Sequence, residues 1–484
     1  VAIEMSRESE GRPPSQAGPE SRGYVRTMTW RDGFSLALVV PVAIFATIGP
    51  AIGGIGSGAL AAVFGIACLI AIIQNFIYAE MASMFPDKPG GIILYAHEAW
   101  KKYCTPLSVV AAFSYWAAWS LGNAVFALTA GDMLHAQFFS DNDWAISTGP
   151  IEITVAHLIA AGSLVLVWTL NAFGVKQAVF LNKVIGVLAV ALILLLAVVP
   201  FVTGDFRSEN VTWGLGLEGQ EWGGWQLAMA FLFVCGWSSY GTETVAAFGP
   251  EYKKPKSDLP KGLLSAGLFT LVVAVLMPLG LGGTVGDANI AADPAGVYAT
   301  AFSLILGPAS GIVTILIVLS LLLVMNSTTA TAGRALYGIS ADGLTIMHLD
   351  RLNKRDVPSR AMLIGLVLNL ATVLLLGNVL ALIFAANIGY FVATIIALIG
   401  FFLLRKDQPQ TPRSFRVPRF MLPIAAVIIV INTATLAVGF LYPEAGGYGG
   451  PVEQLTGIVI ILSSLALYGY RKLVQERRLS SMPR

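Results

Sequence analysis

"FLFVCGWSSYGTETVAAFGPEYKKPKSDLP", Phe231 to Pro260, starts as a membrane helix and ends as a cationic loop. Between the two it does what a membrane helix should avoid. Gly236 and Gly241 loosen the backbone, at a helix-propensity cost of ~1 kcal/mol each relative to alanine. Ser238, Ser239 and Thr242 add hydroxyls that compete for backbone groups. Glu243 then places a carboxylate near mid-segment. On insertion scales an acid near the bilayer centre costs at least ~2.5–3.5 kcal/mol, and such residues are functional by default. The stretch therefore reads as a broken membrane helix with a working acid at the break. The plainer alternative is a structural hydrogen bond inside the bundle.

The rest of the chain supports the membrane reading. Of its 484 residues, 56% are hydrophobic and 12% charged, and mean hydropathy is +0.74. An ordinary soluble domain is about 45–50% apolar and roughly 25% charged. Cys68, Cys104 and Cys235 show no CxxC spacing, so reduced thiols are expected and no disulfide framework. The four histidines, His97, His135, His157 and His348, form no ligand cluster, and no metal site or cofactor is expected. The first thirty or so residues are polar and rich in Gly, Pro and Ser. They read as a disordered tail, not a cleavable signal peptide, with Arg26 and Arg31 close to the membrane.

A helix needs about 20 mostly apolar residues to cross a bilayer. By that rule the sequence holds twelve cores: Phe34–Gly54, Leu60–Ile77, Leu107–Ala130, Ile153–Leu170, Val184–Val202, Leu227–Phe248, Leu263–Leu281, Ile312–Ala332, Met362–Leu376, Val379–Leu403, Met421–Leu441 and Leu455–Tyr468. An even number puts both termini on one side. With that count, every Lys and Arg except Arg207 falls on the side of the termini, including Lys253-Lys254-x-Lys256 and the runs Arg351–Arg360 and Arg405–Arg419. The opposite loops carry acids: Asp132, Asp141, Asp143, Glu218 and Glu221. The positive-inside rule then makes both termini cytoplasmic in a plasma-membrane protein. The basic runs are topology determinants, not a nucleic-acid surface.

Span one has a matching weakness. "ATIGPAIGGIGSG", Ala46 to Gly58, holds five glycines and Pro50, and a helix-interior proline removes a hydrogen bond and crowds the preceding turn. Irregular backbone survives at membrane depth only where it lines a protein-enclosed or watery cavity. Two broken helices five spans apart mark transporters built from inverted repeats, with substrate at the breaks. Half-helix ends there offer N–H groups to an anion and carbonyls to a cation, so a zwitterion suits them. Glycine-rich membrane helices also serve close packing, which is the competing reading of this stretch.

These residues resemble the amino acid–polyamine–organocation permease superfamily, over about Phe34 to Arg405 with two further spans. "YAEMASMFPDKPGGIILYAHEAW" carries its Tyr-Ala-Glu, proline, Gly-Gly and tyrosine pattern. "WSSYGTETVAAFGPEYKKPKSDLP" is similar to its span-six signature, and "MNSTTATAGRALYGISADGL" to that of span eight. "YWAAWSLGNA" and "WSSYGTE" look closer to arginine/agmatine antiporters within it. That resemblance implies an all-α polytopic fold of 12 helices, an inverted 5+5 repeat plus two C-terminal helices. It implies a gating aromatic at Tyr115, a substrate-facing amide at Asn123, a gating tryptophan at Trp237, a carbonyl at Tyr240 and a proton-responsive carboxylate at Glu243. Through Pro41-Val42, it places the carboxylate-binding amides at Gly53 and Gly54 and an amine-binding carbonyl at Pro50, with Gly56-Ser57-Gly58 as a rival register. The stretch between spans one and two is about ten residues shorter than in the antiporter. The lysine that some proton-coupled members carry in span five is Ala189 here, while Lys183 reads as an interface lysine. Ser327, Thr328 and Thr329 face substrate or sodium, or are interhelical glue.

The expected function is transport of an amino acid or related amine by alternating access, as proton-dependent uptake or exchange. The carbonyls around Gly236, Trp237 and Tyr240 would meet the ammonium and the span-one amides the carboxylate, with Ser238 and Thr328 as further substrate-binding residues. Polyamine or ethanolamine-type amines are the alternative substrates, and a transporter-like sensor the alternative class. No nucleophile–base cluster suits an enzyme. The expected parts are a tail over 1–33, a transport core over 34–404 with repeats at about 34–203 and 225–404, helices eleven and twelve over 405–470, and a cytoplasmic tail over 471–484. Cysteine labelling of intact cells checks the orientation: Asp141→Cys should react from outside and Thr411→Cys should not, and reaction of both would reject it.

Overall fold

The computed structural model describes residues 26–85, 88, 91–148, 151–173, 178–215, 223–307, 310–355, 357–447 and 449–480. The side chains of Lys183 and Ala189, and Glu218, Glu221 and residues 1–25 altogether, lie outside what is described. In chain order the helices are α1 (Trp30–Ala37), α2 (Val39–Ile55), α3 (Ser57–Met84), α4 (Gly91–Trp100) and α5 (Thr105–Phe138). A hairpin follows, β1 (Ala145–Thr148) with β2 (Ile151–Thr154), paired antiparallel with Ala145 opposite Thr154. Next come α6 (Val155–Ala172), α7 (Ala178–Thr203), α8 (Gly224–Ser239), α9 (Thr244–Ala247) and α10 (Pro255–Val285). The chain continues through α11 (Asp287–Ala292), α12 (Val297–Leu306), α13 (Ser310–Ala341), α14 (Ser359–Leu376), α15 (Val379–Asp407) and α16 (Met421–Leu441). It ends with α17 (Pro451–Tyr470) and α18 (Glu476–Ser480).

Among the described residues ten helices are long and apolar enough to cross a membrane, α1 and α2 together forming the first. Their burial is inverted relative to a soluble protein. By mean hydropathy α5 is the least apolar of the ten, yet 89% of its most apolar window is buried; α16 is the most apolar, and 28% of its window is buried. Lipid explains this: apolar side chains lose nothing by facing acyl chains, while polar groups need partners inside the bundle. The centre is therefore α5 and α15, which pack on each other, with α13, α6 and α4 around them and α3 against α10.

The residues from 26 to 33 do not form the loose tail expected of them. Met28 pairs with the segment after α9, donating to the Glu251 carbonyl (3.0 Å) and accepting from Lys253 N–H (2.8 Å), and α1 begins at Trp30. The expected break in span one also lies elsewhere. The helix α2 runs unbroken through Pro50, Gly53 and Gly54 to Ile55. A Cβ on Gly54 would come 2.2 Å from Phe231 Cζ, and one on Gly49 2.3 Å from the Pro294 carbonyl oxygen, so these glycines permit close packing. A single proline removes only one helical bond, and this packing holds the helix through it. The discontinuity is at Leu38, between α1 and α2. It falls inside the turn that Pro41 disrupts, since a proline ring clashes with the carbonyl four residues back, here Ala37. At the far end Gly56, with φ +81°, joins α2 to α3 in one residue, which accounts for the short connection. Buried Asp287 fastens that turn by accepting Ser57 N–H (2.9 Å) and Thr212 N–H (2.7 Å).

The end of the bundle carrying the basic clusters is tied differently. Glu80, at the end of α3, is wholly buried. Its carboxylate accepts Arg405 Nε (2.9 Å) and Nη2 (2.5 Å), Arg413 Nη1 and the Val417 N–H (2.8 Å). Ser83 Oγ reaches the Phe415 carbonyl beside it (2.9 Å). The carboxylate thus anchors α3 to the end of α15 and to the segment after it. Removing one member of a buried ion cluster typically costs about 3–5 kcal/mol, because the remaining charges stay buried unpaired. Glu80→Gln should therefore lower unfolding stability by that order in denaturant titration of the detergent-solubilised protein, with Arg405 and Arg413 left buried. Unchanged stability would mean the cluster does not hold this end together.

Candidate functional site

Span six breaks where its composition predicts. The helix α8 ends at Ser239, Tyr240 is extended (φ −78°, ψ 174°), and Gly241 takes φ +105°, which only glycine adopts readily. A Cβ there would also meet Val40 at 3.1 Å and Trp119 at 3.3 Å. The chain turns through Glu243 into the single turn of α9. Gly236, by contrast, stays helical, its carbonyl accepting from Tyr240 N–H (2.9 Å), with Phe391 packed on its Cα.

Glu243 is buried and three donors converge on it. Its Oε2 accepts the Gly241 N–H (2.6 Å), and its Oε1 accepts the hydroxyls of Tyr115 from α5 (3.0 Å) and Tyr390 from α15 (2.5 Å). In an unbroken helix the Gly241 N–H would close on the Trp237 carbonyl. Glu243 takes that N–H, so the Trp237 carbonyl at the end of α8 loses its helical donor. Thr242, beside it, accepts from Asn75 Nδ2 of α3 (2.7 Å).

A cavity opens above this carboxylate. Trp237, Tyr240 and Gly241 form one side, Val40 and Ala43 of α2 a second, Trp119 and Phe126 of α5 a third, and Tyr390 closes it. Trp237 leans on Phe126 with ring centroids 5.4 Å apart, and Tyr240 lies 5.9 Å from Tyr390. Tyr390 therefore both walls the cavity and holds Glu243. The space open to water is ≈ 30 Å³, room for about two waters. That is too little for an amino acid.

The candidate residues divide into groups. Trp237 and Tyr240 line the cavity, and Tyr115 and Glu243 meet beneath it. The Tyr240 hydroxyl is taken by Asn432 Oδ1 of α16 (3.0 Å). Ser238 Oγ accepts from Thr47 Oγ1 (3.1 Å), tying α8 to α2. Asn123 does not share the cavity of Trp237. It points to the other side of α5, where its Nδ2 reaches Thr329 Oγ1 (3.1 Å), its Oδ1 accepts from Thr328, and a second cavity begins. Successive residues on a helix diverge by about 100°, so Gly122 lines one cavity and Asn123 the other. Pro50, Gly53 and Gly54 lie outside both cavity linings, in unbroken helix, so Gly53 and Gly54 offer no free amides. Ser327 is exposed on α13.

Sequence reading missed Val40, Ala43, Ala118, Trp119, Gly122, Phe126 and Tyr390. The signal for the first two was Pro41, which marks the discontinuity of span one more closely than the glycine run. Tyr390 sits in a mostly apolar run, "FAANIGYFVATI", whose other polar residues are Asn387 and Thr394, and nothing local distinguishes it from a packing tyrosine. Among the described residues no group of His, Cys, Asp and Glu is suited to a metal ion.

Residues 30–463 match the family described as amino acid permease. The methylthioribose transporter of Bacillus subtilis (strain 168) is 26% identical, over 89% of this chain and 91% of the relative. The gamma-aminobutyric acid permease of the same strain is 23% identical, over 96% of each chain. A probable agmatine/putrescine antiporter of Lactococcus lactis subsp. lactis (strain IL1403) is 22% identical, over 69% of this chain and 73% of its own. The matched proteins are transporters rather than enzymes, and the match covers nearly all the described helices: this chain is a multi-pass membrane protein of the amino acid permease family.

Proposed function

We propose that the protein moves an amino acid across the plasma membrane by alternating access, as proton-dependent uptake or exchange. The carrying observation is the break in span six, where Glu243 holds Gly241, Tyr115 and Tyr390 beneath an aromatic cavity. The substrate ammonium would meet the Trp237 carbonyl and the faces of Trp237 and Tyr240. Because the expected amides at Gly53 and Gly54 lie in unbroken helix, the partner of the substrate carboxylate is left unassigned. A diamine would need a second anion on the cavity wall; the wall residues are neutral, which favours an amino acid with an uncharged side chain.

Protonation acts through hydrogen-bond polarity. An ionised carboxylate only accepts, so it can take all three donors; once protonated, one oxygen becomes a donor and one contact must open or reverse, with a tyrosine hydroxyl then accepting. If that contact is Tyr390, the change reaches the cavity wall directly. The twelve apolar cores fall wholly or largely on helices, which supports a twelve-span arrangement, and with that count the charge segregation supports cytoplasmic termini. In that arrangement repeats over about 34–203 and 225–404 form the ten-span core, and 405–470 supplies the last two spans.

Two tests follow. Glutamine keeps the shape of Glu243 and a hydrogen-bonding end but cannot exchange the proton. Glu243→Gln should therefore flatten the pH profile of uptake into reconstituted vesicles between about pH 5 and 8, since an amide neither gains nor loses the proton. A wild-type profile in a folded variant would reduce Glu243 to a structural hydrogen-bonding residue. In calorimetry with a substrate found by thermal-shift screening, Trp237→Ala should weaken binding by about 0.5–2 kcal/mol, the scale of a lost cation–π wall. Asn123→Ala, across α5, should weaken it less; the reverse order would move the site to the second cavity.

A further inference from the structure

The second cavity, behind α5, has a chemistry of its own. It lies between α5, α6, α13 and α14, and among the described residues no charged side chain lines it. Two of its polar atoms are buried without a hydrogen-bond partner: the indole Nε1 of Trp168 on α6 and the Oδ1 of Asn369 on α14. Asn369 is 3% exposed. One atom is a donor and the other an acceptor. The hydroxyls of Ser120 and Thr329 share the same wall, Ser120 being 1% exposed.

Leaving a buried donor or acceptor unpaired costs about 1–3 kcal/mol. A single neutral molecule that both accepts and donates relieves both groups. The size narrows the choice, since the space open to water is ≈ 20 Å³ and a water needs about 10–15 Å³ on that measure. Ions are disfavoured, because no opposite charge offsets their desolvation. We propose that this cavity is a structural water site, holding about one or two waters that accept from Trp168 and donate to Asn369. Such water joins α6 to α14 by hydrogen bonds, behind α5 from the transport cavity. It is independent of the function proposed above.

The site is testable without substrate. Hydroxyl radicals made by X-ray radiolysis of bound water oxidise the side chains next to it, and Met362 lines this cavity. In the full-length protein in nanodiscs, Met362 should be oxidised well above buried Met277 of α10, which does not line this cavity. Asn369→Leu keeps the volume but removes the acceptor and should cut Met362 oxidation by about fivefold or more, as apolar cavities stay dry. If Asn369→Leu does not fold, Gly365→Ala decides. Its methyl would stand 3.1 Å from Ser120 Oγ and take up part of the space, and should lower the same signal. Met362 no more oxidised than Met277 in the wild type, or equally oxidised in the wild type and the folded variant, would overturn the proposal.

Discussion

The Glu243 carboxylate is the contact on which the central architecture turns. It takes the Gly241 N–H that would have continued α8, and it collects one tyrosine hydroxyl from α5 and one from α15. A membrane helix that breaks exposes amides and carbonyls that lipid cannot satisfy. Here the acid supplies part of that satisfaction itself, so the break and the buried charge stabilise one another. The two helices it reaches are the most buried of the bundle. A change at this carboxylate is therefore felt at the centre and not at a surface loop.

The polar residues of the interior work in the same manner, as partners across helices. Thr47 with Ser238 and Asn123 with Thr328 and Thr329 each join two helices, while Asn75 with Thr242 and Tyr240 with Asn432 tie a helix to the break after α8. Individual contacts of this kind are modest, about 0.6–2 kcal/mol in membranes. Their distribution matters more, because they fix which faces of α5 and α8 point inward. The two ends are held by carboxylates of different type. Asp287 binds backbone N–H groups at the Gly56 turn, and Glu80 binds two arginines where the basic segments gather.

How much was legible in the sequence follows from the range of each interaction. The apolar cores, the charge segregation and the break at Gly241 are local properties: twenty apolar residues, a lysine count, and a glycine followed by an acid. Each core falls wholly or largely on helix, and of the two glycines read as loosening span six the break comes at Gly241 while Gly236 stays helical. The glycine run in span one shows the limit. Glycine permits both unwinding and close packing, and the choice depends on whether Phe231 and Pro294 lie against it.

The sequence by itself determined that this is a multi-span membrane protein whose sixth span carries a broken backbone and a buried acid, because hydropathy and helix propensity act over a few turns. Only the tertiary structure decided what that acid touches. Tyr115 and Tyr390 are 128 and 147 residues from Glu243, and their identity depends on how α5 and α15 cross α8. It likewise decided that Gly122 and Asn123, neighbours in the chain, look into different cavities, since the rotation of α5 is set by all the helices packed around it.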